Sequence, residues 1–243
     1  MIEQWRYFSA TDRKRADDLT ATWREPTVDA VFTSVEAGVK GRVLEAGFRF
    51  STQAKWTLGF SESSSLLLAQ WVAGLPGAVH SSLGGSDEHW QRSVNLLSGK
   101  PVKALQGVGL RAGTARGPLL VTNLTVATHP IGTPRQPSLN GALLVLECVW
   151  KALYCIYRML IQWRGAGLLK NLAGVACGRS SWASEDFLPG DLSMKEILKE
   201  RLGDLGIPLV LNLPLGQGQP NYSLPLSALA QLGGRQGQLS LIR

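Results

Sequence analysis

Between Glu88 and Glu185 the chain carries a single carboxylate, Glu147, and it stands inside the run Gly141-Ala-Leu-Leu-Val-Leu-Glu-Cys-Val-Trp150. An unbroken apolar run closed by an acid reads as a buried strand that ends on the acid, which requires a sheet covered on both faces. A carboxylate in that place costs several kcal/mol unless it is paired or hydrogen-bonded. It is therefore either tied into a structural network or placed for chemistry, and the sequence leaves both open.

The same gap in acidic residues explains the charge. The formal charge is +7, from 25 Lys and Arg against 18 Asp and Glu, yet residues 1–100 are balanced and the excess falls in residues 101–180. It arises there from missing acids and not from a run of cations. The one basic cluster, Arg13-Lys14-Arg15, is flanked by Asp12, Asp17 and Asp18 and reads as a solvated helix face. No docking motif or aromatic-interleaved basic stripe is present, which argues against a nucleic-acid partner. The first residues are polar, and no stretch approaches the roughly 20 apolar residues that span a bilayer, so the expectation is a cytoplasmic chain with no membrane partner. Cys148, Cys155 and Cys177 are odd in number and lack metal-ligand spacing, and His80, His89 and His129 are scattered. Neither a metal nor a cofactor is expected.

Along the chain, Ser9 to Arg24 has helical periodicity, with Thr11 and Asp12 as start signals and Pro26 as a stop. Strands are expected over 28–34 and 55–60, separated by a turn through Gly38 and Gly41. Helices are expected after Ser63 and after Ser86, and this alternation implies a parallel sheet. After Lys100-Pro101 the texture changes to short strands punctuated by Gly and Pro. A helix follows over 151–164, then a strand over 172–177. Ser193 with Glu196 forms a capping box, and Gly203 closes that helix. The fold class is α/β, with a parallel-sheet domain over 1–97, a linker over 98–106 and a mixed, sheet-rich α/β domain over 107–243. Gly59-Phe-Ser61-Glu-Ser63 places a serine between strand and helix as a nucleophile elbow would. The closing glycine is absent, which favours a helix-start hydroxyl.

The segment Asn140 to Leu160, with its strand ending on Glu147 and its Arg158-Met-Leu160 helix, resembles the LD-carboxypeptidases, the serine peptidases of murein recycling. Further stretches agree in order: Tyr7-Phe-Ser-Ala10, Gly59-Phe-Ser-Glu62, Asn123-Leu124, Gly132-Thr-Pro134, and Gly216-Gln-Gly-Gln-Pro-Asn221 through Leu224-Pro-Leu226. The resemblance implies a two-domain hydrolase, often a homodimer, that releases the terminal D-alanine of a muropeptide tetrapeptide through a Ser-His-Glu triad. It places the orienting glutamate at Glu147, and Ser61 and Asn123 on the substrate-binding side. The expected partner is a muropeptide or other L,D-peptide.

Two triad roles do not carry over. A gapless alignment through Asp29-Ala-Val-Phe32 and Arg42 sets Lys40 on the family's nucleophile turn, and the family histidine falls on Gln217. A lysine cannot form a serine acyl-enzyme, and glutamine has no titratable nitrogen near neutral pH. The expected state is therefore an impaired hydrolase, a pseudoenzyme. The alternatives are a non-catalytic peptide-binding homologue, a degenerate fragment, or a rearranged site in which His80 or His129 serves Ser61 as base.

Overall fold

The computed structural model describes residues 9–33, 40–82, 84–149, 151–180, 190, 192–216 and 218–242. The stretch after Ser9 forms helix α1 (Asp12–Arg24), with the Thr11 side chain accepting the Lys14 amide and the chain leaving the helix at Glu25. Arg13 pairs with Asp17 and Lys14 with Asp18, one turn apart and open to solvent. The basic triplet is thus a solvated face. The other side buries Trp23 against Phe48 and Phe50, the latter ring 4.8 Å away edge-on, with Ala16, Val31, Val43 and Leu44 around them.

The rest of the first half runs β1 (Ala30–Phe32), α2 (Lys40–Glu45), β2 (Trp56–Gly59), α3 (Ser64–Val72), β3 (Ala78–His80) and α4 (Asp87–Leu97). The second half runs β4 (Leu105–Gln106), β5 (Val108–Arg111), β6 (Thr114–Asn123), α5 (Leu124–Thr128), β7 (Leu143–Glu147), α6 (Leu153–Gly165), β8 (Gly174–Arg179), α7 (Met194–Leu202), β9 (Leu209–Gly216), β10 (Leu224–Pro225), β11 (Leu229–Gly233) and β12 (Gln238–Leu241). Two sheets result. In the first, of order β1-β2-β3-β10, the first three strands are parallel. The second has the order β4-β12-β11-β6-β7-β8-β9-β5, with a parallel centre and antiparallel flanks. The fold is mixed α/β, and the capping boundaries at Ser86 and at Ser193 with Glu196 stand where the sequence puts them.

Two local readings change. Gly41 lies inside α2, not in a turn, while Gly38 falls outside the described residues. The helix is fixed by Arg42, whose guanidinium donates to Asp12 Oδ2 at 2.9 and 2.5 Å, and by burial of Val43 and Leu44. The connection after α4 ends in a strand, β4, which pairs with β12.

Strand β7 explains the placement of the lone acid. All five of its residues are buried. Leu144 and Leu146 pack with Ile156, Leu160, Ile197 and Leu198 on the helix-covered face of the larger sheet. Leu143 and Val145 pack with Leu119, Val121, Val210 and Leu213 on the opposite face, beside Leu67 of α3 and Leu224 of β10. The period-two alternation of a strand then directs Glu147 to that second face, toward the smaller sheet.

Candidate functional site

Glu147 is 1% exposed at the end of β7. In the parallel register its neighbour on β6 is Asn123, and the two side chains meet: Asn123 Nδ2 donates to Glu147 Oε1 at 2.8 Å. Asn123 is also the N-cap of α5, its Oδ1 accepting the Val126 amide at 3.1 Å, and its backbone N–H donates to Ser64 Oγ at 3.2 Å. One asparagine thus locks the carboxylate to a helix start and to the first turn of α3. On the other flank a Cβ at Gly216 would lie 3.0 Å from Glu147 Cβ and 2.4 Å from the Arg179 carbonyl oxygen, in a backbone with φ +103°. Only glycine fits there. The Gly216 amide donates to Asn221 Oδ1 at 2.9 Å, which holds Gly216 against the carboxylate.

The smaller sheet supplies the third wall. His80, at the end of β3 and fully buried, brings Nε2 to 3.9 Å from Glu147 Oε1. Its ring stands edge-on to Phe60 at 5.2 Å. Neither ring nitrogen of His80, nor Glu147 Oε2, has a hydrogen-bond partner among the described residues.

Ser61 stands immediately after Phe60, on the tight passage from β2 into α3, with φ +55°. A left-handed backbone is uncommon for a residue with a side chain, and costs about 1–3 kcal/mol unless the surroundings enforce it. Here they do. A Cβ at Gly59 would lie 2.5 Å from both Ser63 Cβ and Thr33 Oγ1, so the absence of a side chain at 59 is what lets the turn fold back on itself. The glycine that this turn needs is the leading one, and the missing closing glycine is no obstacle because Ser63 occupies the space Gly59 leaves. Neither Phe60 nor Ser63 gives the first turn a side-chain cap bond. The geometry is that of a nucleophile elbow.

Of the residues singled out in the sequence, Glu147 and Asn123 are brought into contact. Ser61 belongs to the same end of the smaller sheet as His80, since His80 is in register with Gly59. Lys40 opens α2, and Gln217 lies outside the described residues. The proximity of His80 to Glu147 depends on strand register and on the packing of two sheets, which local sequence does not carry.

The thiols near the site are chemically quiet. Burial pushes the Cys148 thiol up to about 11 and Cys177 up to about 12, far from the thiolate form at neutral pH. A cavity of about 330 Å³ opens beside the elbow, lined by Glu62 in the turn ahead of α3, Ser65 of α3, Arg42 of α2, and His129 and Arg135 after α5. No helix in the described residues is long and apolar enough to cross a membrane.

Residues 1–81 match the LD-carboxypeptidase N-terminal domain and residues 116–232 the LD-carboxypeptidase C-terminal domain. The "Putative carboxypeptidase slr1534" of Synechocystis sp. is 38% identical over 243 residues, covering 97% of this chain and 80% of that protein. Among solved structures, the muramoyltetrapeptide carboxypeptidase from Oxalobacter formigenes superposes with a TM-score of 0.87 at 23% identity, covering 99% of this chain and 87% of that one. The microcin C7 self-immunity protein MccF, in complex with glutamyl sulfamoyl guanosine, superposes with a TM-score of 0.86 at 14% identity, over 99% and 84% of the two chains. With both domain models matched in order around a buried glutamate and a strained serine turn, the chain belongs to the LD-carboxypeptidase family.

Proposed function

We propose that the protein is a serine-type hydrolase that releases the terminal D-alanine of a muropeptide-like L,D-peptide, as in murein recycling, with Ser61 as nucleophile and Glu147 as the buried carboxylate of its triad. The observation that carries this reading is the left-handed Ser61 on the tight β2–α3 passage. Ser61 opens the short turn that leads into the N-terminus of α3, whose positive end favours developing negative charge nearby. The nucleophile role then passes from position 40 to position 61. Lys40 opens α2, and residues 34–39 ahead of it lie outside the described residues. The catalytic deficit is then one replaced group, Gln217, instead of two. A turnover below that of a relative with histidine at that position follows, because a triad lacking one member keeps only part of its rate.

The test is incubation of the purified protein with an L,D-linked tetrapeptide and measurement of free D-alanine. Release is expected, and Ser61→Ala should reduce it by about 10-fold or more, a smaller loss than in an intact triad because its members act as a unit. Release unchanged in Ser61→Ala would sink the assignment, and no release from the unaltered chain would favour a non-catalytic, peptide-binding role.

A further inference from the structure

Arg92 is a cation buried without a counter-anion. It stands on α4 at 7% exposure, and its hydrogen bonds run to neutral oxygens: Nε donates to the Ser223 carbonyl at 2.9 Å and Nη1 to the Lys103 carbonyl at 2.7 Å. A guanidinium carries N–H groups on three nitrogens, and those on Nη2 have no partner among the described residues. Glu88 acts on it through space and forms no ion pair with it. A buried charge is stabilised by hydrogen bonds and by an opposite charge together. Arg92 has the first and lacks the second.

The guanidinium lines a cavity. With Lys103, Glu88 and Tyr222 it borders a space of about 530 Å³ between α4, the connection into β4, and the end of β9 with the chain that follows. Pro101, Val102, Leu105 and Pro214 form apolar walls. Apolar walls interrupted by a few polar groups, at this volume, are what a small-molecule site requires. Ser61, His80, Asn123 and Glu147 do not line it, so it is separate from the site around Glu147.

The charges on these walls do not balance. Arg92 and Lys103 bring two positive charges, since burial lowers the Arg92 pKa only to about 10. Glu88 brings one negative charge. Tyr222 adds none, because burial and its hydrogen bond to Glu88 hold the phenol above its usual pKa. Gln91, Asn95 and Gln106 are neutral, so one positive charge is left over. The unpaired N–H groups belong to Arg92, and a carboxylate is the anion whose planar geometry matches them.

We propose that this cavity is a second binding site, for a small monocarboxylate with an apolar body, whose carboxylate takes the Nη2 N–H groups of Arg92 while its body packs against Tyr222, Leu105 and Pro214. The proposal does not depend on the hydrolase reading. Two backbone carbonyls fix the guanidinium, and the Tyr222 ring lies 5.5 Å from it, so the donor is set before a ligand arrives.

The experiment titrates the full chain with benzoate, 3-phenylpropionate and 4-methylpentanoate, and with the three corresponding amides, followed by NMR at the Arg92 Nε–H and the Tyr222 amide. We expect at least one acid to saturate and to shift both signals, and its amide to bind about 10-fold more weakly, because hydrogen bonds to a charged acceptor are the stronger ones. Arg92→Gln should bind acid and amide alike. Should that variant fail to fold, Gln91→Trp decides: Gln91 is exposed and lines the cavity, so an indole there fills the space without entering the interior. Acid binding should then be lost while the melting temperature holds. No saturable binding by any of the three acids, equal binding of acid and amide by the unaltered chain, acid preference kept in a folded Arg92→Gln, or acid binding that persists in Gln91→Trp would each overturn the proposal.

Discussion

Ser61 and Gly59 form one device. The left-handed serine exists because the chain folds back tightly enough for Ser63 to touch the place where a Gly59 side chain would be. Gly59→Ala should therefore force the turn open, with a loss of about 1–3 kcal/mol typical of an overpacked site. Because relaxation would move Ser61, fluorophosphonate labelling should fall further than stability does. Chemical denaturation beside a labelling time course checks both, and normal labelling in a destabilised Gly59→Ala would show that the turn is not what activates the serine. Glu147 was legible in the sequence because isolation in an apolar strand is a signal that needs no neighbours. Ser61 was less so: the motif reading weighed the trailing position of the turn, whereas the contact that matters is between Gly59, Ser63 and Thr33, and Thr33 lies 26 residues before Gly59.

Helices whose ends carry local signals appear where the sequence puts them, and α2 does not. Ser86 and Ser193 cap their helices through residues three positions away, a distance that sequence pattern resolves. Helix α2 is held by Arg42 on Asp12, 30 residues apart, and a glycine within it masks what local propensity there is. Asp12 shows the consequence in its titration. The hydrogen bond from Arg42 holds its carboxyl below the usual carboxylate range, with Arg15 adding to the effect against partial desolvation. A folded-state pKa below the unfolded value means that the stabilisation is complete above about pH 4 and disappears as pH falls through the lowered value. Asp12→Asn should thus melt below the unaltered protein at neutral pH, and the gap should close on acidification. Melting curves over a pH series check this, and a gap constant across the series would mean that the ion pair does not hold α2 to α1. Of the strand expected over 28–34, Ala30–Phe32 pair with β2, the flanking Asp29 carbonyl and Thr33 amide bond to the same strand, and residue 34 lies outside the described residues.

At the scale of the molecule, the two halves are interlocked more than a linker between domains suggests. Strand β10 leaves the larger sheet after β9, pairs with β3 of the smaller one through Leu224 and His80, and returns as β11. Beside it Arg92 of α4 is almost fully buried, donating to the carbonyls of Ser223 at 2.9 Å and Lys103 at 2.7 Å, with the Tyr222 ring 5.5 Å from its guanidinium. The Ser81, Ser93 and Ser223 hydroxyls close a network next to it. Burial lowers the Arg92 pKa to about 10, which still leaves it charged at neutral pH, so the carbonyls are solvating a cation in the interior. That cation ties the smaller sheet's helix to the connection ahead of β4 and to the strand that carries the opposite wall of His80. Arg92→Leu would leave both carbonyls without their donor, a loss of about 2–3 kcal/mol. Because the chain passes from β9 of the larger sheet through β10 of the smaller one and back to β11, the loss should appear as a single urea transition moved to lower concentration with an unchanged slope, followed by fluorescence and by far-ultraviolet circular dichroism alike. Two separated transitions would mean that the halves fold independently and that the His80 to Glu147 distance is not fixed by their union.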